Sequence, residues 1–369
     1  MAKITFDGRV TIKELRALIP MVAHEITPVI KSEPGCGKTS LLAMISEDNG
    51  DKWRKVGDDY PEDKYDYIYV DCPVKDMSDI GMTIPNHQSK TLEYYTASLF
   101  KMRSGKPKII LLDEFMKAPK LLQVIFTRLM LERCVGDDPL PSGSMVFGTS
   151  NNESDGVGDT MLAHAANRVM ITHMAKPSVN DWLEWATDKG ISRVIRAFVA
   201  MYPRVLKSYL DDGQEDNPYI FKPSSPVLSF CSPRSLAKSD VVVRQADRIP
   251  ENVLSNALAG IIGRSAANDM ATFVVMEKSV VDVRNVVKDP MGIAVPKDIA
   301  AQVMVMFQAV DTLDTQDDLS AFMKFVNRIE SEEVQSIFFT MAITNTRMVK
   351  IARNNEEIKS WAKNNHQLI

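Results

Sequence analysis

The stretch KSEPGCGKTS, residues 31–40, decides the fold of the surrounding chain. It contains two glycines, Gly35 and Gly37, followed directly by Lys38 and Thr39. Because glycine has no Cβ, the backbone amides beside it can turn inward around an anion. The lysine would reach the β- and γ-phosphates of a nucleotide, and the threonine hydroxyl would ligate Mg²⁺. The predicted phosphate-binding loop consists of Pro34, Gly35, Cys36, Gly37, Lys38, Thr39 and Ser40.

The residues on either side of the loop favour the same interpretation. ITPVIK, residues 26–31, is a short β-branched run typical of a buried strand. TSLLAMISED, residues 39–48, has the spacing of an amphipathic helix, whose N-terminus attracts phosphate. Strand, glycine loop and helix in this order are the context that such a loop requires. A helix-capping turn remains the alternative, and Ser32 stands where the pattern has its first glycine.

A second motif, KPKIILLDEFMKAP at residues 106–119, supplies two carboxylates. Its apolar run, residues 109–112, is typical of a parallel strand buried on both faces. Asp113 and Glu114 follow at the carboxyl end, where ligands of open α/β sheets bind. Asp113 would hold Mg²⁺ through its waters, and Glu114 would orient or deprotonate an attacking water. Two solvated acids at a strand end are the alternative.

A third strand is predicted by SMVFGTSNN, residues 144–152. Asn151 near its end could hold the same attacking water or sense the γ-phosphate. Paired asparagines are also common in turns, which is the alternative. The three motifs together predict Mg²⁺-dependent hydrolysis of a nucleotide.

Composition excludes several other classes of protein. The 369 residues suffice for two to three domains. The formal net charge is −4, so no overall positive electrostatic field attracts the chain to DNA or lipid. The four cysteines are scattered without a CxxC pair, which argues against a disulfide framework or a zinc site. No apolar run approaches the roughly 20 residues of a membrane helix, and the N-terminus is polar. We therefore expect a cytoplasmic protein without membrane contact.

The order of these motifs resembles that of AAA+ ATPases, and more narrowly the MoxR-like branch with its McrB- and CbbQ-type relatives. MKAP, residues 116–119, resembles that branch's N-x-A-P turn, and RCVGDDPLP, residues 133–141, occupies the place of its hairpin. DCPVKDMSDIGMTIP, residues 71–85, resembles a D-L-x-G-x-P segment that lies near the central pore of the family's ring. The resemblance extends to roughly residue 280 and is weak beyond.

Two arginines match functional positions of the family. Arg168 in LAHAANRV, residues 162–169, resembles the arginine finger that reaches a neighbouring subunit's nucleotide. Arg234 in FCSPRSL, residues 230–236, falls on the second sensor arginine. The residues before Arg234 predict a helix start, because Ser232 suits the N-cap and Pro233 the first helical position. Either arginine could instead form an ordinary ion pair.

The expected fold class is α/β: a P-loop AAA+ core with a parallel sheet and helices on both faces, followed by an all-helical lid. We expect the nucleotide-binding core over residues 1–175 and the lid with further helices over 176–369, since AKPSVNDW, residues 175–182, breaks the alternating pattern. The helix predicted over TIKELRALIPMVAHE, residues 11–25, precedes the first strand of the core.

The resemblance implies a homo-oligomeric ring, with six subunits expected, that hydrolyses ATP to remodel a partner protein. In the MoxR-like branch that partner is often a von Willebrand A domain protein. A nucleic-acid motor of the McrB type is the first alternative. However, MTIPNHQSK, residues 82–90, and residues 133–141 are not rich in lysine or arginine, which a channel that tracks DNA needs. An ATP-dependent scaffold with slow hydrolysis is the second alternative.

Overall fold

The structure is a computed structural model that describes residues 8–54, 60–152, 167–224 and 227–364. The chain separates into two compact units, Met1–Lys176 and Pro177–Ile369. None of the described helices is long and apolar enough to cross a membrane.

The first unit is built on a parallel sheet. Its described strands are β1 Arg9–Val10, β2 Pro28–Ser32, β3 Asp66–Asp71, β4 Gly81–Asn86, β5 Thr91–Thr96, β6 Lys108–Asp113, β7 Cys134–Val135, β8 Asp138–Pro139, β9 Met145–Asn151 and β10 Met170–Met174. Six of them form one sheet in the order β1-β10-β2-β9-β6-β3, and every neighbouring pair in it is parallel.

Helices cover both faces of this sheet. Among the described residues of this unit, the α-helices are α1 Ile12–Val22, α2 Ser40–Asp48 and α3 Lys120–Glu132. Successive side chains of a strand point to opposite faces. In β6, Ile109 and Leu111 pack in one apolar cluster with residues of α1 and α2, whereas Ile110 and Leu112 pack in another with residues of α3. The predicted parallel sheet with helices on both faces is confirmed.

The strand order brings the carboxyl ends of three strands, β2, β9 and β6, to the same edge of the sheet. β9 lies between β2 and β6, and all three strands run in the same direction. Ser32, at the end of β2, is in register with Asn151, at the end of β9. Asp113 ends β6, one residue after Leu112, which is in register with Gly148 of β9. The carboxyl ends of these strands therefore form a common rim beside residues 33–39.

Two hairpins lie outside the main sheet. β7 and β8 form the hairpin that the sequence predicts within residues 133–141. β4 and β5 form a longer one, which the sequence does not predict. Its strands carry exposed side chains on both faces, so they show no alternation of apolar and polar residues. Met82, Ile84 and Tyr95 are among its exposed apolar side chains.

The second unit is helical, as the sequence predicts. Its described α-helices are α4 Val179–Asp188, α5 Arg193–Met201, α6 Pro233–Val243, α7 Glu251–Ile262, α8 Arg264–Met276, α9 Val283–Lys288, α10 Ile299–Thr312, α11 Gln316–Val326, α12 Glu332–Thr344, α13 Met348–Ala352 and α14 Glu356–Asn364. Their apolar faces form one continuous core that includes Met304, Met306 and Met323. The frequent methionines of this region thus serve as core packing.

Candidate nucleotide-binding site

The loop between β2 and α2 has the backbone shape that its glycines predict. Gly35 and Gly37 have φ angles of +79° and +95°, in the left-handed region. A residue with a Cβ would be strained at either position. α2 begins at Ser40, directly after the loop, so its N-terminal amides face the same space as the loop. The segment therefore combines left-handed turns with a helix N-terminus, which is the geometry that binds phosphate.

Lys38 is buried at the centre of this loop, with a relative exposure of 6%. Its ammonium Nζ donates to the Ser32 carbonyl at 2.8 Å, the Ser32 hydroxyl at 3.0 Å and the Glu33 carbonyl at 3.2 Å. It also donates to Asn151 Oδ1 at 3.0 Å, across 113 residues of sequence. These four acceptors are neutral oxygens, which bind an ammonium more weakly than phosphate oxygens do.

Asp113 lies on the other side of the loop and is also buried, at 7% exposure. The Thr39 hydroxyl donates to Asp113 Oδ2 at 3.0 Å. The Thr149 hydroxyl, from β9, donates to Asp113 Oδ1. A carboxylate beside a threonine hydroxyl is a hard oxygen pair of the kind that binds Mg²⁺ together with substrate phosphates. The predicted metal residues, Thr39 and Asp113, are thus in direct contact and fit the ion.

Among the described residues, no group of three or more His, Cys, Asp or Glu side chains could hold a metal ion by itself. Mg²⁺ usually keeps several waters and is bound through one or two carboxylates plus phosphate oxygens. In this arrangement the protein and the nucleotide would each supply part of the coordination shell.

Tyr69 is a third partner of Asp113 that the sequence does not reveal. Its phenol, in β3, donates to Asp113 Oδ2 at 2.8 Å. Burial raises the pKa of Tyr69 far above its usual value, and the neighbouring Asp113 carboxylate raises it further. The phenol therefore remains a donor at every physiological pH. Its proximity to Asp113 depends on the pairing of β3 with β6, which no local pattern around residue 69 encodes.

Tyr69→Phe is expected to raise the Mg²⁺ concentration for half-maximal nucleotide binding about fivefold. The change removes one hydrogen bond that orients Asp113, worth about 1 kcal/mol, and leaves the packing of the ring intact. Titration of Mg²⁺ at a fixed nucleotide concentration measures this half-maximal Mg²⁺ concentration. Tyr67→Phe is the matched control, because Tyr67 lies in the same strand and donates to Asp51 instead. Equal Mg²⁺ requirements in both variants would contradict the role of Tyr69.

Glu114 has an unusual backbone conformation for a residue with a side chain. Its φ of +51° and ψ of +37° lie in the left-handed region, which costs roughly 1–2 kcal/mol. Its N–H donates to the Thr149 hydroxyl at 3.2 Å. Its carboxylate accepts from Lys117 Nζ at 2.8 Å and is 38% exposed. Strained residues cluster at functional sites, so this conformation supports a role for Glu114 beyond stability.

Arg168 is exposed and lies two residues before β10 begins. β10 runs parallel to β2, with Met170 opposite Pro28. Arg168 is therefore at the amino edge of the sheet, whereas the phosphate loop follows the carboxyl end of β2. The five residues of β2 span about 16 Å, so the structure does not bring Arg168 to the loop of its own chain. Residues 162–166 of its motif lie outside the described residues.

Arg234 is exposed in the first turn of α6, as the sequence predicts. Ser232 is the N-cap, and its hydroxyl accepts from the Ser235 N–H at 3.1 Å. Pro233 is the first helical residue. Arg234 thus lies at a helix N-terminus, where the helix dipole favours an anion. Arg234 belongs to the second unit, and its approach to the nucleotide stays a prediction.

A cavity of about 970 Å³ lies elsewhere in the first unit. Its lining includes Asp66, at the amino end of β3, together with Trp53, Tyr94 and Lys101. It contains no residue of the phosphate loop and no carboxylate from Asp113 or Glu114. This cavity is on the edge of the sheet opposite the candidate site, so it plays no part in that site.

Comparison with known proteins gives similar structures only. No family model and no curated protein matches the sequence. A candidate ATPase from Cytophaga hutchinsonii shares 15% identity, with a TM-score of 0.33 over 70% of this chain and 83% of that one. The Holliday junction branch migration motor RuvB of Thermotoga maritima shares 13%, with a TM-score of 0.32 over 76% and 75% of the two chains. Hsp104, solved with ATPγS and casein, shares 15%, with a TM-score of 0.35 over 50% and 37%.

At these identities and scores the similarity carries no inference about activity. The candidate activity has to follow from the contacts among Lys38, Thr39, Asp113 and Asn151.

Proposed function

We propose that this chain is a Mg²⁺-dependent ATPase of the AAA+ superfamily. One observation supports this most strongly: the loop that carries two left-handed glycines contacts two other strand ends through its functional side chains. Lys38 Nζ is 3.0 Å from Asn151 Oδ1, and Thr39 Oγ1 is 3.0 Å from Asp113 Oδ2. A helix-capping turn has no need of either contact, whereas a Mg²⁺-nucleotide site needs these four side chains close together.

Each residue has a distinct task in this proposal. The backbone N–H groups of residues 35–40 would bind the phosphates, and Lys38 would exchange its neutral acceptors for the β- and γ-phosphate oxygens. Thr39 and Asp113 would hold Mg²⁺, which would neutralise charge on the phosphate oxygens. Glu114 orients or deprotonates the attacking water, with Asn151 beside it. Catalysis then consists of positioning and charge stabilisation.

The finger role of Arg168 requires a second copy of the chain. Its exposure and its position at the far edge of the sheet support action on a neighbouring copy's nucleotide. Arg234 would act on the nucleotide of its own chain. A finger supplied by a neighbour is worth about 10³- to 10⁵-fold in rate, so isolated subunits would hydrolyse ATP very slowly. A closed ring, with six subunits as in the MoxR-like branch, would complete every site.

We further propose that the output is remodelling of a partner protein in the cytoplasm. The β4–β5 hairpin exposes Met82 at 54%, Ile84 at 40% and Tyr95 at 46%. Exposed apolar side chains suit contact with a polypeptide, whereas a channel for nucleic acid needs lysine and arginine. A von Willebrand A domain protein is the partner that the MoxR-like resemblance suggests.

ATP turnover tests the activity. The purified chain is expected to hydrolyse ATP only with Mg²⁺, and Lys38→Ala is expected to reduce turnover to background. Lys324→Ala, an exposed lysine of α11, is the control and should change nothing. Unfolded polypeptide should stimulate turnover and single-stranded DNA should not. Salt-sensitive stimulation by DNA alone would favour a nucleic-acid motor, and full activity of Lys38→Ala would exclude the proposed site.

A further inference from the structure

A buried ion pair joins the phosphate loop to the end of the first unit. Lys176 Nζ lies 2.8 Å from Glu33 Oε2, and the two side chains are 5% and 4% exposed. Glu33 is the first residue after β2. Lys176 follows β10 by two residues and is the last residue of the first unit. The pair therefore connects the start of the loop with the point where the chain leaves this unit.

Stability alone gives a poor reason for such a pair. Removing two charges from water carries a desolvation penalty that their attraction often fails to recover, and apolar replacements are frequently as stable. The exposed pair between Arg16 and Asp48, at 2.6 Å, joins α1 to α2 in the same unit with side chains 37% and 47% exposed. Because the pair of Arg16 and Asp48 stays in contact with water, it avoids this desolvation penalty. Because stability does not explain the buried pair of Glu33 and Lys176, we expect it to act on the adjacent phosphate loop.

Glu33 is also connected to the phosphate-binding lysine. Its carbonyl accepts from Lys38 Nζ at 3.2 Å and from the Ser32 hydroxyl at 3.2 Å. Its side chain and its backbone thus face different partners, Lys176 and Lys38. On the other side, the N–H of Ala175 donates to the Val10 carbonyl at 2.8 Å, which holds the chain beside Lys176 against β1. A shift of the Lys38 ammonium can therefore be transmitted to residues 175–176 through Glu33 alone.

Cys36, in the same loop, is close enough to this pair to be affected by its charges. Its thiol is 3% exposed, and burial raises its pKa to about 11, while the charge of Lys176 lowers it and that of Glu33 raises it. The thiol is accordingly neutral at physiological pH and serves as packing. The charges of the ion pair thus act directly on a side chain of the phosphate loop.

We propose that Lys176 is a positioning residue for the phosphate loop, acts through Glu33, and makes phosphate binding detectable in the backbone at residues 171–178. This inference rests on the proposed nucleotide site. When phosphate oxygens take the Lys38 ammonium, the Glu33 carbonyl loses that donor and its peptide can reorient. The Glu33 carboxylate, held by Lys176, transfers the reorientation to the segment that follows β10.

The test uses the double variant Glu33→Gln/Lys176→Met, which removes both charges at nearly constant volume and leaves neither one buried alone. The matched control is Arg16→Met/Asp48→Asn, which removes the exposed pair. Amide hydrogen exchange is measured with and without a non-hydrolysable ATP analogue and Mg²⁺, at residues 34–40 and 171–178. KM, kcat and the thermal midpoint are measured on the same preparations.

In the wild type the analogue is expected to slow exchange in both segments. The double variant should keep protection at residues 34–40, lose the response at 171–178, and show KM raised about tenfold with kcat within twofold. The control pair should behave as the wild type. Glu33→Gln alone is the second variant, should the double variant not fold, and the same loss of response is expected.

A response at residues 171–178 that persists in both Glu33 variants, or an unchanged KM, would overturn the inference and leave the nucleotide site standing. Absence of protection at residues 34–40 in the wild type would overturn the nucleotide site itself, and the inference with it. The two failures are therefore distinguishable in one data set.

Discussion

Glu114→Gln is expected to bind Mg²⁺-ATP as tightly as the wild type and to hydrolyse it about 10²- to 10⁴-fold more slowly. A carboxamide has nearly the same shape as a carboxylate but cannot accept the proton of the attacking water, and a positioned base contributes about this factor. The left-handed backbone of Glu114 and its N–H contact with Thr149 do not depend on the side-chain charge. The substitution therefore isolates the chemistry from the fold.

Single-turnover hydrolysis and equilibrium nucleotide binding, measured on the same preparation, check this expectation. Glu132→Gln is the matched control, because Glu132 also pairs with a cation on its own helix, Arg128, but lies at the exposed end of α3. It should hydrolyse ATP at the wild-type rate. Turnover of Glu114→Gln within a few-fold of the wild type would remove Glu114 from the catalytic role.

Arg168→Ala is expected to lower turnover about 10³-fold or more while nucleotide binding is retained. Mixing this variant with Lys38→Ala should recover part of the activity. In a mixed assembly, a subunit with an intact loop but no finger can receive Arg168 from a neighbour whose own loop is inactive. The position of Arg168 at the amino edge of the sheet, opposite its own phosphate loop, is the reason to expect action between copies.

The measurement is ATP turnover of the mixture, with mixed assemblies verified by native mass spectrometry. Mixing Arg168→Ala with the double variant Lys38→Ala/Arg168→Ala is the control, since no subunit then supplies a finger, and it should recover nothing. Failure to recover activity in verified mixed assemblies with Lys38→Ala would contradict catalysis between subunits.

The phosphate loop could be predicted from sequence because its determinants are contiguous. The left-handed positions at Gly35 and Gly37 and the helix start at Ser40 are encoded within ten residues. Asp113 and Asn151 could be placed at the same edge because parallel strands in one sheet share a direction. The cap of α6 could also be predicted, since Ser232 and Pro233 are local signals.

The remaining contacts depend on strand order and register, which local patterns do not encode. Tyr69 reaches Asp113 because β3 pairs with β6, and Thr149 does so because β9 lies between β2 and β6. The pair of Glu33 and Lys176 joins residues 143 positions apart. The strand predicted from residue 26 is β2, which begins at Pro28, and Ile26 before it is 51% exposed. The predicted first strand is therefore the second, since β1 Arg9–Val10 precedes α1.

Calorimetric titration of a non-hydrolysable ATP analogue, with and without Mg²⁺, tests most directly whether Lys38, Thr39, Asp113 and Asn151 form one nucleotide site. We expect one analogue bound per chain and tighter binding with Mg²⁺. Asp113→Asn should abolish the effect of Mg²⁺ and spare Mg²⁺-free binding, whereas Lys38→Ala should abolish both. Absence of binding by the wild type, or binding that neither substitution changes, would contradict the account.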